Sequence, residues 1–110
     1  MKFTFLGTGT SQGVPVIGCR CRVCTSTDPH DNRLRTAAMV ETQGRRIVID
    51  AGPDFRCQML RTGVRHIDAI LLTHEHRDHI AGLVTLSKWY ELPIFTRRAT
   101  IEHMSCRAAI

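Results

Sequence analysis

Leu72-Thr-His-Glu-His-Arg-Asp-His-Ile-Ala-Gly82 (LTHEHRDHIAG) holds three of the chain's six histidines and an aspartate, at His74, His76, Asp78 and His79. On a helix, at about 100° per residue, His74 and His76 would point about 200° apart and could not share a metal ion. Helical zinc sites set their two histidines four apart; four after His74 stands Asp78, so that arrangement fails. In an extended segment, residues two apart point the same way. His74 and His76 can then chelate one ion, and a turn after them lets Asp78 and His79 open a helix toward a second. Such an imidazole-rich set suits zinc, manganese or iron. A single histidine here would read as an ordinary polar loop residue, but three with an aspartate, where an apolar strand ends, call for metal.

The flanking sequence supplies that strand and its neighbours. Ala69 to Leu72 is a short apolar strand that delivers the chain into His74. After His79, the set Ile80, Leu83, Val84 and Ser87 has helical spacing. Upstream, Thr36–Glu41 and Arg45–Asp50 read as a hairpin joined across Gln43-Gly44, with Ile47-Val48-Ile49 expected to be buried on both faces. Pro53-Asp54 opens a short helix whose Phe55, Met59 and Leu60 are expected on one face, and Gly63 ends it. Met1–Leu6 is a first strand, Ile94-Phe95 a last one, and Thr100–Ala109 a terminal helix.

Between the first strand and the hairpin lies GTGTSQGVPVIG, followed by a loop from Val14 to Arg35 without helical or strand period. No GK[ST] and no GxGxxG accompany the GxG, which disfavours a P-loop or dinucleotide-binding turn. A loop that long in a small domain is functional or tied down. Cys19-x-Cys21-x-x-Cys24 offers the tie: three thiolates that can ring one tetrahedral zinc, one ligand short of a closed structural site. Five cysteines in all, three of them this close, argue for metal and against disulfides. Within the chain, Cys57 and Cys106 are the available fourth thiols.

Composition sets outer bounds. The chain's 110 residues, 43% hydrophobic and 23% charged, suit one modest domain spanning 1–110. No run approaches the roughly 7–15 apolar residues of a signal-peptide core or the ~20 of a membrane span, so a cytoplasmic, non-membrane protein is expected. The net charge of +5 rests on 15 Lys and Arg against 10 Asp and Glu, with no dense block. Scattered arginines usually form a solvated face, although guanidinium also holds phosphate well.

Three stretches together resemble a known family. His74-x-His76-x-Asp78-His79, after the strand Ile70 to Leu72, resembles the signature of the metallo-β-lactamase superfamily of metal-dependent hydrolases. Ile49-Asp50-Ala-Gly52 resembles the acidic strand end that supports its metal site. Leu6-Gly-Thr-Gly-Thr-Ser-Gln-Gly-Val-Pro15, with Gly18-Cys19-x-Cys21-x-x-Cys24, is similar to the branch containing a phosphonate-pathway cyclic phosphodiesterase, with ribonuclease Z as a more distant relative. The resemblance implies an α/β (α+β) fold, a four-layer αββα sandwich of two similar halves with metals at one edge. Residues 1–110 look like the N-terminal half. A third histidine, a bridging aspartate, a last histidine and the fourth ligand of the cysteine zinc are then expected from the second half. None of His30, His66 or His103 stands in a matching context, and residues 1–110 alone are not expected to be a working hydrolase.

The expected cofactors are two divalent ions, zinc or manganese, at the catalytic site and one structural zinc at Cys19, Cys21 and Cys24. Two ions about 3.5–4 Å apart can share a hydroxide and neutralise an attacked oxyanion. His74 and His76 would hold the first ion and Asp78 and His79 the second, with Asp78 also the catalytic residue that orients the nucleophile. Asp50 would fix an imidazole tautomer from behind the ligands; on sequence alone it reads equally as a strand-end turn carboxylate. The leading expectation is a phosphodiesterase acting on a small-molecule phosphodiester. The alternatives are a thioester or lactam hydrolase of the same fold, and a non-catalytic zinc-binding or nucleic-acid-binding module. One Trp, one Tyr and four Phe offer little for base stacking. A homodimer is the expected assembly if an apolar sheet face is left open.

Overall fold

A computed structural model describes residues 1–83 and 92–105. Strands β1 (Lys2–Gly7), β2 (Ala37–Thr42), β3 (Arg45–Ile49), β4 (Ala69–Leu71) and β5 (Ile94–Phe95) form one mixed sheet in the order β1-β2-β3-β4-β5. The first three are antiparallel neighbours, and β3, β4 and β5 are parallel. Helix α1 (Phe55–Thr62) links β3 to β4, α2 (Arg77–Ile80) follows the histidine loop, and α3 (Arg98–Ser105) follows β5. Parallel strands need such a crossover, whereas antiparallel β2 and β3 need only a tight turn. That turn places Gln43 (φ 50°) and Gly44 (φ 73°) in the left-handed region, the two-residue hairpin geometry that matches strand twist.

Alternation along the strands divides the sheet into two unlike faces. Leu6, Ala37, Met39, Val48 and Ile70 point inward and pack with Phe55 and Met59 of α1 and with Ile67, Leu72 and Leu83. The registered pairs Phe3 with Val40, Val40 with Ile47 and Ile47 with Ala69 set the other face. It carries Phe3, Phe5, Leu71 and Phe95 largely exposed, and the rings of Phe3 and Phe5 meet edge to face at 5.1 Å.

Two expectations about burial are corrected. Val48 is fully buried, but Ile47 and Ile49 are only half-buried because the outer face is open. Leu60 is 64% exposed, and its place on the inner face of α1 is taken by Gln58. Two residues earlier and so on the other side of the helix, Gln58 donates through Nε2 to the Arg35 carbonyl at 2.9 Å. Helix α1 ends at Gly63 (φ 71°), whose N–H caps the Leu60 carbonyl, as its glycine implies. The terminal helix begins at Arg98, two residues before the expected start; its reach to Ala109, and the helical positions Val84 and Ser87, lie outside the described residues. No helix among the described residues is long and apolar enough to cross a membrane.

Candidate metal centre

The centre forms where β3 and β4, parallel neighbours, end side by side. The Asp50 N–H donates to the Leu71 carbonyl at 2.9 Å, which brings Asp50 against Thr73. After a bend at Thr73 the chain is outside helix and strand until α2 begins at Arg77, with His76 itself extended (φ −61°, ψ 141°). His74 and His76 therefore lie two apart ahead of the helix, not on it, and their rings stand 4.5 Å apart centre to centre. The His74 and His79 rings are 4.1 Å apart. His76 is exposed, while His74, Asp78 and His79 are half-buried.

Asp50, 4% exposed, organises this group. Its Oδ1 accepts the Thr73 N–H at 2.8 Å, and its Oδ2 accepts the Thr73 hydroxyl at 2.7 Å. The same Oδ2 lies 2.6 Å from His79 Nδ1. Because an ionised carboxylate can only accept, both neighbours must donate, and His79 carries its proton on Nδ1. The Thr73 hydroxyl, spending its hydrogen on Asp50, must accept from His74 Nδ1 at 2.8 Å. One carboxylate thus sets two imidazoles in the tautomer that leaves Nε2 bare, directly for His79 and through Thr73 for His74. Asp50 holds this position at φ 64°, a left-handed conformation costly for a residue with a Cβ but one that Asp adopts more readily than most.

The donors fit a cation. Bare His79 Nε2 and Asp78 Oδ2 are 3.0 Å apart. Two acceptors that close repel unless a proton or a metal ion lies between them. Imidazole nitrogen with carboxylate oxygen is a zinc or manganese donor set. Ligand-type atoms of Asp50, His74 and His79 all lie within 4.8 Å of one another. Oδ2 of Asp50 is committed to two hydrogen bonds, from Thr73 and His79.

Backbone packing holds α2 in place. Ala51 N–H donates to the His79 carbonyl and Gly82 N–H to the Ala51 carbonyl, each at 2.8 Å. Gly52 lies so close to the Asp78 carbonyl that a Cβ there would collide with it. Thr73 escaped sequence reasoning, its hydroxyl directly before the first histidine being the available signal, and Gly52, quoted there with the strand-end aspartate, had been given no packing role.

A second cluster lies in the long loop. The sulfurs of Cys19, Cys21 and Cys24 lie within 4.8 Å of one another. The Cys21 sulfur accepts the Cys24 N–H and the Cys24 sulfur accepts the Val16 N–H, both at 3.4 Å. The Cys24 N–H, then the thiols of Cys19 and Cys24, lower the Cys21 pKa to about 7. At Cys24 the Val16 N–H pulls downward, but the neighbouring sulfurs and desolvation outweigh it and push the thiol up. Crowded sulfurs cannot all ionise unless a cation holds them, which is what a thiolate zinc site supplies. Among the described residues no fourth ligand joins them; Cys57 lies on α1 outside the cluster, and Cys106 and the His103 side chain lie outside the described residues. The loop is also tied by Arg35, whose guanidinium meets Asp54 at 2.9 Å. His30 and His66 pair instead with Asp28 and Asp68.

Comparison with known proteins agrees with this geometry. Residues 45–109 match the family model described as a beta-lactamase superfamily domain. A crystal structure of a diphosphatase from the PhnP family superposes with a TM-score of 0.89 at 44% identity, over 96% of this chain and 44% of that one. Zinc-bound PqqB from Methylobacterium extorquens gives 0.84 at 30% identity, over 96% and 40%. An octanoyltransferase of Porphyromonas gingivalis is 47% identical over 97% of this chain but only 23% of its own length. The chain spans less than half the length of each of these relatives.

Proposed function

The chain belongs to the beta-lactamase superfamily, and from that premise we propose that it forms part of a metal-dependent phosphodiesterase. The observation that carries the reading is the Asp50 network, which spends a buried carboxylate on turning two imidazole nitrogens outward beside Asp78. Two divalent ions, when bound, activate water and neutralise charge on the attacked group. His74 and His76 would hold one ion, and Asp78 and His79 the other. Asp78, whose Oδ2 lies 3.0 Å from His79 Nε2, would also orient the attacking water. Asp50 and Thr73 keep the rings in register, and the outer-shell hydrogen bonds raise ligand basicity.

A phosphodiester is favoured over a thioester or lactam by the cysteine cluster, by the cationic balance and by likeness to the PhnP-family diphosphatase. Four ligands give each ion two protein groups, whereas catalytic zinc usually takes about three plus water. The activity is therefore proposed for the whole protein, and residues 1–110 alone are expected to add nothing to the rate of the free ion. The test is turnover by the whole protein of a bis-aryl phosphate diester, set against a thioester and a β-lactam. Chelator-sensitive diester hydrolysis that disappears in His76→Ala is expected. Preference for the thioester or lactam would overturn the substrate class, and oligonucleotide binding without turnover would support a non-catalytic module.

A further inference from the structure

At the opposite end of the sheet from Asp50, the start of β1 and β3 and the end of α1 enclose a cleft of about 690 Å³. Arg46 and Asp50 are separated by about 13 Å of strand, so this cleft is separate from the metal centre. Its sheet residues Thr4 and Met39 belong to the face covered by α1, so a partner seated on the Phe3 and Phe5 face would leave it open.

Four permanent cations line it: Lys2, Arg46, Arg61 and Arg65, with His66 beside them. Glu41 takes up Arg46 at 2.8 Å and Lys2 at 3.8 Å. Asp68 flanks the cleft, bonded to the Arg46 N–H and to His66. The C-terminus of α1 adds roughly half a negative charge, so the cations still exceed the anions by more than one charge. Arg61 and Arg65, exposed on either side of the Gly63 turn, form no ion pair among the described residues. Both guanidiniums line the same cleft with their charges uncommitted to a carboxylate, and each can grip a phosphate through two N–H groups. A cleft of this volume lies in the range of small-ligand sites.

We propose that this cleft is a second, metal-independent site for two adjacent phosphate groups, bridged by Arg61 and Arg65. A diphosphate-bearing small molecule and a nucleic-acid backbone share that chemistry. Titration calorimetry with inorganic diphosphate, orthophosphate and a short oligothymidylate would test it, in wild type, Arg61→Ala/Arg65→Ala and His74→Ala/His76→Ala. Saturable one-to-one diphosphate binding is expected, weaker for orthophosphate, at least ten-fold weaker in the arginine variant and unchanged in the histidine variant. Arg61→Lys/Arg65→Lys should bind with intermediate strength, and circular dichroism should show all variants folded, since both arginines are exposed. Tighter oligothymidylate binding with the same arginine dependence would assign the site to a nucleic-acid backbone; tighter diphosphate binding would assign it to a small phosphorylated molecule. Binding that survives loss of both arginines, that is lost with the two histidines, or that never saturates with any of the three probes overturns the proposal.

Discussion

Oδ2 of Asp50 stands 2.6 Å from Nδ1 of His79, in a carboxylate only 4% exposed. The same oxygen receives the Thr73 hydroxyl. Replacing it with an amide nitrogen would reverse the donors. In Asp50→Asn the new N–H₂ donates to His79 and to Thr73, and both imidazoles shift their proton toward Nε2, the position a metal needs bare. Asn tolerates φ 64° as Asp does, so the fold should survive. Zinc competition titration is expected to show a loss of affinity of about 10–100-fold with little change in melting temperature.

Gly52 tests the same site by packing. A methyl group there meets the Asp78 carbonyl, so Gly52→Ala must push the first turn of α2 away from β3. The expected cost is about 1–3 kcal/mol by overpacking, read by chemical denaturation. Metal affinity should fall with it, because Asp78 and His79 both sit on that turn.

Cys21 is exposed and its pKa is lowered to about 7. Without zinc, alkylation at Cys21 should titrate with a midpoint near pH 7, and at neutral pH should outpace Cys57, measured by mass spectrometry of iodoacetamide adducts. Added zinc should protect Cys19, Cys21 and Cys24 together. Cys21→Ser should lower the melting temperature of the whole protein more than its rate per folded molecule; the reverse ranking would put the cysteines in the active site.

Acid sensitivity has a defined sign. The Arg46 guanidinium lowers the pKa of Glu41, and the Arg46 N–H, then His66, lowers that of Asp68. Folded values below the unfolded ones, about 4.3 for Glu and 3.9 for Asp, give stability that is complete above those values. It is lost as pH falls through the lower, folded values. Melting temperature should therefore drop more steeply between pH 6 and pH 3 in wild type than in Glu41→Gln/Asp68→Asn. Equal slopes would remove these carboxylates from the acid response.

Phe3, Phe5, Leu71 and Phe95 expose a contiguous apolar sheet face. Such patches drive association. Residues 1–110 are expected to self-associate in sedimentation experiments, and Phe5→Glu with Phe95→Glu should shift them toward monomer without lowering stability, since neither ring belongs to the core.

Much of the fold was legible because its signals are local. Gln43-Gly44 marks the hairpin, Gly63 the end of α1, and the His74 to His79 spacing excludes a helical zinc site before any contact is known. Leu60 was misplaced for the same reason: local spacing cannot tell which side of a two-turn helix meets a sheet edge, where Gln58 found the Arg35 carbonyl. Asp50 is the sharpest case. By sequence its two roles, turn carboxylate and imidazole support, are equally plausible. The choice between them depends on a Thr73 23 residues away and a His79 29 residues away. Only the parallel pairing of β3 with β4 makes them neighbours, and hydrogen bonds of about 3 Å depend on such pairing, which composition and periodicity along one segment do not carry. The residue types and spacing determined which atoms can hold metal. The tertiary structure decided which nitrogen each ring presents, how closely α2 approaches β3, and which apolar face is left facing water.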